Sequence, residues 1–221
     1  FLEQCRLVAN GATGISINNA NPVVHIDRCD GDIASAATKF HDLTAGTMYL
    51  RWCSFTNTGG STTRSTYAGS GNNSIRYSRI TYPLDITGSC NVAVLSCEFM
   101  CEAINTTAVV YGSSVACGAS NSIFNGGNQP AITVNTNFRA INVIASSSNA
   151  TSAIDGAGTV LYSNIVFEDS ATEITTAFSG ALFRGNKDLV GGRVIGDAAS
   201  LACRNSDNTN AASNSFLQVE T

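Results

Sequence analysis

The acidic residues are the first that could do chemistry. Asp30 and Asp32 stand in "CDGDI", Glu98 and Glu102 in "CEFMCE", Asp155 stands alone, and Glu168 adjoins Asp169 in "FEDS". Two carboxylates held about 5 Å or about 6.5–9.5 Å apart hydrolyse a glycosidic bond. In sequence these acids form no cluster, so no catalytic residue is assigned. Were the chain a polysaccharide lyase or glycoside hydrolase, Glu98, Asp155, Glu168 and Asp169 would be the residues to test. Asp30–Gly31–Asp32 lacks the rest of a calcium loop. His25 alternates outward in "VVHID", and His41 adjoins Asp42 in "KFHDL". Sequence adjacency does not make a dyad, since a triad is recognised by its geometry, and the chain has no G-x-S-x-G elbow.

Eight cysteines offer disulfide, metal or thiol chemistry. Cys5, Cys29 and Cys53 close similar phrases, "LEQCRL", "HIDRCDG" and "LRWCSF", and Cys97 closes "AVLSCEF". In "TMYLRWCSFTN" the apolar residues alternate with polar ones, the period of a half-buried strand, and Cys53 falls on the inward side. Cys97 and Cys101 form a CxxxC without a second pair or a nearby His, so no metal site is expected. Cys90, Cys117 and Cys203 read as further interior fillers. Trp52 and Tyr77 each stand one residue before a repeat marker, Cys53 and Ser78. Outward aromatics at such positions could bind a glycan or a neighbouring subunit. Tyr49, Tyr67, Tyr82, Tyr111 and Tyr162 are candidates for the same strip.

The elements that position these residues repeat. Two places after each marker stands an apolar residue: Phe55, Ile80, Phe99, Ile123, Ile144 and Ile165, at steps of 25, 19, 24, 21 and 21. A second series runs Ile86, Ile104, Ile132, Ile154 and Ile174. Each repeat is a short alternating strand, a turn, a second strand and a Gly/Ser/Asn-rich loop. No segment has helical spacing with good helix formers. A repeat of this length suits one coil of a parallel β-helix, whose strands pair with those of the next coil about 4.8 Å away. The expected fold is all-β, a single-stranded right-handed parallel β-helix of nine to ten coils. Residues 1–196 would form the helix, and 197–221 an irregular cap or docking tail over a strand edge that would otherwise template aggregation. The abrupt start suggests a fragment, or an end covered by another chain.

Composition agrees. Charged residues are only 13% of the chain against 43% hydrophobic, and stacking equivalent positions would set like charges about 5 Å apart. Cys5, Cys29, Cys53 and Cys97 are then an internal ladder of small fillers. Stacked strands would hold their Cβ atoms about 4.8 Å apart, wider than the ~3.8 Å of a disulfide, so free thiols are expected, favouring assembly in a reducing cytoplasm. A net charge of −4 with scattered arginines gives no basic patch for nucleic acid. No apolar run approaches the ~20 residues of a membrane span, and no cofactor motif occurs.

The phrases "NSIRYSRITYPLDITGS", "NVAVLSCEFMCEAINTT", "ASNSIFNGGNQPAITV" and "LYSNIVFEDSATEITT" resemble coils of the pectin-lyase-like right-handed parallel β-helix superfamily. The resemblance is one of repeat grammar and carries over no catalytic residue. Within that superfamily the chain is most similar to β-helical modules of phage tail spikes, tail fibres and other virion proteins. The resemblance implies a non-enzymatic structural or receptor-facing virion component, a homo-oligomer with a trimer suggested, among other virion proteins and facing cell-surface polysaccharide. The alternative is a polysaccharide-degrading phage depolymerase or secreted enzyme. A third reading, an ice- or glycan-binding solenoid, lacks Thr at fixed spacing.

Overall fold

A computed structural model describes residues 1–147, except 20, 21, 37, 70, 113–116, 136 and 137, together with the backbone of the strands between 152 and 210 and the side chains of Ile154 and Asp155. Every strand pairing is parallel, and almost every one joins a strand to its counterpart one coil on.

The first coil holds β1 (Leu2–Glu3), β2 (Arg6–Ala9) and β3 (Thr13–Ile17), and the second β4 (Val23–Asp27), β5 (Asp30–Ile33) and β6 (Lys39–Leu43). The third holds β7 (Thr47–Arg51), β8 (Ser54–Thr56) and β9 (Ser65–Tyr67), and the fourth β10 (Asn72–Arg76), β11 (Arg79–Ile80) and β12 (Leu84–Ile86). The fifth holds β13 (Asn91–Leu95), β14 (Glu98–Met100) and β15 (Val109–Tyr111). In the sixth, β16 (Cys117–Asn125) runs unbroken across the first two faces and β17 (Ile132–Val134) forms the third. The chain is thus an all-β parallel solenoid with three faces and roughly six turns, fewer than the nine to ten coils expected. That expectation divided the whole length by one short period. Past the sixth turn, pairing is described mainly along the backbone, through β18 (Phe138–Ser146), β19 (Ser152–Gly156), β20 (Val160–Glu168) and β21 (Thr172–Thr175). Beyond residue 196 only Thr209–Asn210 is described.

One residue turns the chain between the first and second faces. Gln4, Arg28, Trp52, Tyr77, Ser96, Asn121 and Asn142 all have positive φ, between 50° and 58°. Each of the first five donates its N–H to the next coil: Gln4 to Asp27, Arg28 to Arg51, Trp52 to Arg76, Tyr77 to Leu95 and Ser96 to Ser120. The corner therefore leaves no backbone donor orphaned.

Side chains stack in rows inside. Ile26, Leu50, Ile75, Val94, Ala119 and Ala140 form one, and Phe55, Ile80, Phe99, Phe124 and Ala145 another, all buried. The second row corrects part of the expected ladder. Phe124 stands in register with Phe99, whereas Ile123 lies opposite Glu98 and is only half-buried. Ile144 pairs with Ile123, and Ile165 with Val143, so the three isoleucines lie out of the row. A slip of one residue exchanges the inner and outer faces of a strand. Gly31 precedes Phe55 in this row, because a Cβ there would collide with the Phe55 and Phe40 rings.

Candidate functional site

The residues just after the corners are Cys5, Cys29, Cys53, Ser78, Cys97 and Ser122. All but half-buried Cys5 are buried. The two serines act where a thiol would be a poor partner: Ser78 Oγ accepts from Cys53 N–H at 3.1 Å and Ser122 Oγ from Cys97 N–H at 3.1 Å. None of the seven described cysteines is in a disulfide. Burial pushes the Cys97 thiol up to about 11 and Cys90 and Cys101 up to about 12, holding them protonated and unreactive. Cys203 lies outside the described residues.

The corner residues themselves point outward, and two are large. Trp52 is 53% exposed and Tyr77 40%. Their rings stack with centroids 4.2 Å apart and planes 14° from parallel. The stack ends abruptly, since the next corner is Ser96. The step from Tyr77 down to Ser96 opens a notch of about 430 Å³ lined by Trp52, Tyr77, Ser78, Arg79, Ser96 and Glu98. Arg79 and Glu98, opposite each other on β11 and β14, form an exposed ion pair at 3.7 Å beside the ring. The expected aromatic strip is otherwise overturned: Tyr67, Tyr82 and Tyr111 are fully buried, and of the described tyrosines beside Tyr77 only half-buried Tyr49 joins the outer surface, its ring centroid 4.9 Å from that of His25 with the planes tilted by 31°. The side chain of Tyr162 lies outside the described residues.

On the first face Asp27 receives Arg51 through both carboxylate oxygens, at 2.9 and 3.2 Å, and this guanidinium holds its carboxyl below the usual carboxylate range. Farther along, Arg76 and Arg139 rim a shallow groove of about 360 Å³ floored by Ala93, Gly118 and Ser120. Among the described residues neither arginine has a carboxylate partner.

The candidate acids are kept apart. The coil neighbours of Glu98 are Arg79 and Ile123, and those of Asp155 are Thr133 and Thr175. None of these register neighbours is a carboxylate. Glu168 is described by its backbone alone, opposite Ser146, and Asp169 lies outside the described residues. Burial raises the Asp32 carboxyl, but hydrogen bonds from the Thr58 hydroxyl and N–H and from Thr56 outweigh it and hold the group ionised. Asp30 lies opposite Ser54. No group of three or more His, Cys, Asp or Glu able to hold a metal occurs among the described residues, and no described helix is long and apolar enough to cross a membrane.

His41 is fully buried among Phe40, Tyr67 and Tyr82. Burial depresses its pKa to about 3, with Lys39 adding to the effect. It is a core residue without access to a substrate.

These features define a parallel β-solenoid carrying one exposed aromatic ridge. No family model, no curated protein and no solved structure matches the chain.

Proposed function

We propose that the chain is a non-enzymatic, receptor-facing β-solenoid of a virion, of the tail-spike or tail-fibre kind, and that it meets cell-surface saccharide at the Trp52–Tyr77 ridge. The observation that carries the binding reading is the stacked, exposed pair with one open ring face. Bulky residues rarely adopt a left-handed backbone, and residues held there concentrate at ligand-binding sites. A sugar ring laid on the open face of Tyr77 would extend the stack by one layer, burying its C–H face, while Arg79 and Glu98 reach its hydroxyls. Arg76 and Arg139 on the neighbouring face suit an acidic saccharide. The virion assignment rests on the resemblance of repeat grammar. Buried, reduced thiols fit assembly in a host cytoplasm, and a rod of this shape suits a homo-oligomer. The register neighbours of Glu98 and Asp155 are Arg79, Ile123, Thr133 and Thr175 rather than carboxylates, which favours binding over cleavage.

The test is titration of the chain with neutral and acidic bacterial surface polysaccharides by calorimetry, with light scattering and fragment analysis in parallel. Saturable binding that Trp52→Ala and Tyr77→Ala each weaken at least tenfold, without release of fragments, is the expected result. Binding that ignores both substitutions would overturn the ridge, release of oligosaccharides would overturn the non-enzymatic reading, and a monomer at all concentrations would overturn the oligomer.

A further inference from the structure

The other notable pair lies at the first coil. Cys5 Sγ and Cys29 Sγ are 3.3 Å apart. They occupy equivalent positions in successive coils, each directly after a corner residue with φ of 51°. Cys29 is buried, its Sγ donating to Asp27 O at 3.3 Å. Cys5 is the one described cysteine not fully buried.

Contact between the two sulfurs and the partial exposure of Cys5 set this pair apart from the buried thiols farther along. A disulfide needs Cβ atoms about 3.5–4.5 Å apart, slightly closer than paired strands hold them. β4 and β5 are each paired on both sides, with β1 and β7 and with β2 and β8. Among the described strands, β1 and β2 pair with β4 and β5. The Sγ atoms already lie in contact at 3.3 Å, so a closure of the Cβ atoms by a fraction of an ångström brings the pair to disulfide geometry.

We propose that Cys5 and Cys29 are a redox-modification site that takes a small-molecule disulfide such as oxidised glutathione and ends as an internal disulfide between adjacent coils. The Cys5 thiol gives up its proton to solvent, and its thiolate attacks one sulfur of RSSR. A Cys5–S–SR bond forms, the R–S–S–R bond breaks, and RS⁻ leaves and takes up a proton. Cys29 then loses its proton and attacks the Cys5 sulfur. The Cys5–Cys29 bond forms and a second RSH departs. Two protein thiols are oxidised and one RSSR is reduced to two RSH. The product covalently staples two successive coils, the first and second described. The staple forms when the protein moves from a reducing to an oxidising compartment.

The chain is equilibrated in reduced and oxidised glutathione over stepped ratios, acid-quenched, alkylated after denaturation and peptide-mapped. The expected result is a Cys5–Cys29 cross-link forming before oxidation of any other cysteine, with loss of two alkylatable thiols and a thermal midpoint several degrees higher. Cys29→Ser should stop at a Cys5–glutathione adduct, and Cys5→Ser should leave Cys29 reduced. Cys29→Ala replaces Cys29→Ser if the serine variant does not fold. A wild-type protein that stops at the adduct, cross-links another pair first, or stays reduced in excess oxidised glutathione overturns the proposal.

Discussion

Trp52 and Tyr77 stack ring on ring at 4.2 Å, although both hold a left-handed backbone, with φ of 58° and 50°. At the same corner the sixth and seventh coils use Asn121 and Asn142, whose side chains hydrogen-bond to each other at 3.0 Å. Asn tolerates this conformation better than a bulky residue does. Asn is thus the low-strain solution to this corner, used in coils six and seven, whereas coils three and four place aromatics there.

Replacing both aromatics with Asn therefore separates binding from folding. The change loses a stacked pair worth about 0.5–1.5 kcal/mol and relieves two strained corners of about 1–3 kcal/mol each. Trp52→Asn/Tyr77→Asn should leave urea stability within about 1 kcal/mol of the parent or raise it, while abolishing saccharide binding. A loss of stability well beyond that would show the ridge to be structural.

Gly31 marks where the core has no room. A Cβ at this position meets the Phe55 and Phe40 rings, themselves 4.2 Å apart. Gly31→Ala should cost about 1–3 kcal/mol in chemical denaturation, the usual range for overpacking. Phe55→Leu should recover part of that in the double variant, and additive costs would show that the clash is relieved elsewhere.

The repeat and its parallel coils were legible because the same phrase returns with cysteine on the inner side. The stacked placement of Trp52 and Tyr77 was legible from their position one residue before each marker. The later rows were harder. In "SNSIF" both Ile123 and Phe124 are apolar, and β16 runs through its corner without a break, so alternation alone did not fix the face. Asn121, the corner residue, was the available signal: counting from the Ser122 that follows it reaches Phe124. The tyrosines were misplaced for another reason. A phenol suggests a wet position, yet the hydroxyls of Tyr67 and Tyr111 are buried without a hydrogen-bond partner among the described residues. Their row, with Leu43, Ile86 and Val134, is set by register, which no single repeat displays.

The thiol pair has its own pH signature. The hydrogen bond with Cys29, followed by burial, raises the Cys5 pKa above that of an ordinary thiol. Only the thiolate attacks a disulfide, so the rate of Cys5 oxidation should climb close to tenfold per pH unit between pH 7 and 8. Cys29→Ala removes the bond and should speed formation of the glutathione adduct at pH 7, read by mass spectrometry of quenched samples. An unchanged rate would show that access, not thiolate fraction, limits the reaction.

His41 makes the fold sensitive to acid. In the folded protein its pKa is about 3, against about 6.5 in an unfolded chain. Below pH 6.5 the unfolded state binds a proton that the folded state refuses, so stability falls as pH falls, progressively from 6.5 to about 3 and no further. A depression of that size corresponds to roughly 5 kcal/mol across the whole window. Above pH 6.5 the residue contributes no pH dependence. The depressed carboxyls of Asp27 and Asp32 also withdraw stability in acid, but only as pH falls below about 4. Burial raises the Asp85 carboxyl, which adds stability as pH falls, opposite in sign to His41 and common to parent and variant, so the difference between the two profiles from pH 6.5 to 4.5 isolates the imidazole. Urea midpoints measured at half-unit steps should fall there in the parent chain relative to His41→Phe, which refills the space among Phe40, Tyr67 and Tyr82 and should show no fall. A parent profile parallel to that of the variant would mean that the unpartnered Nε2 finds a proton acceptor inside the solenoid and that the ring carries its charge in the core.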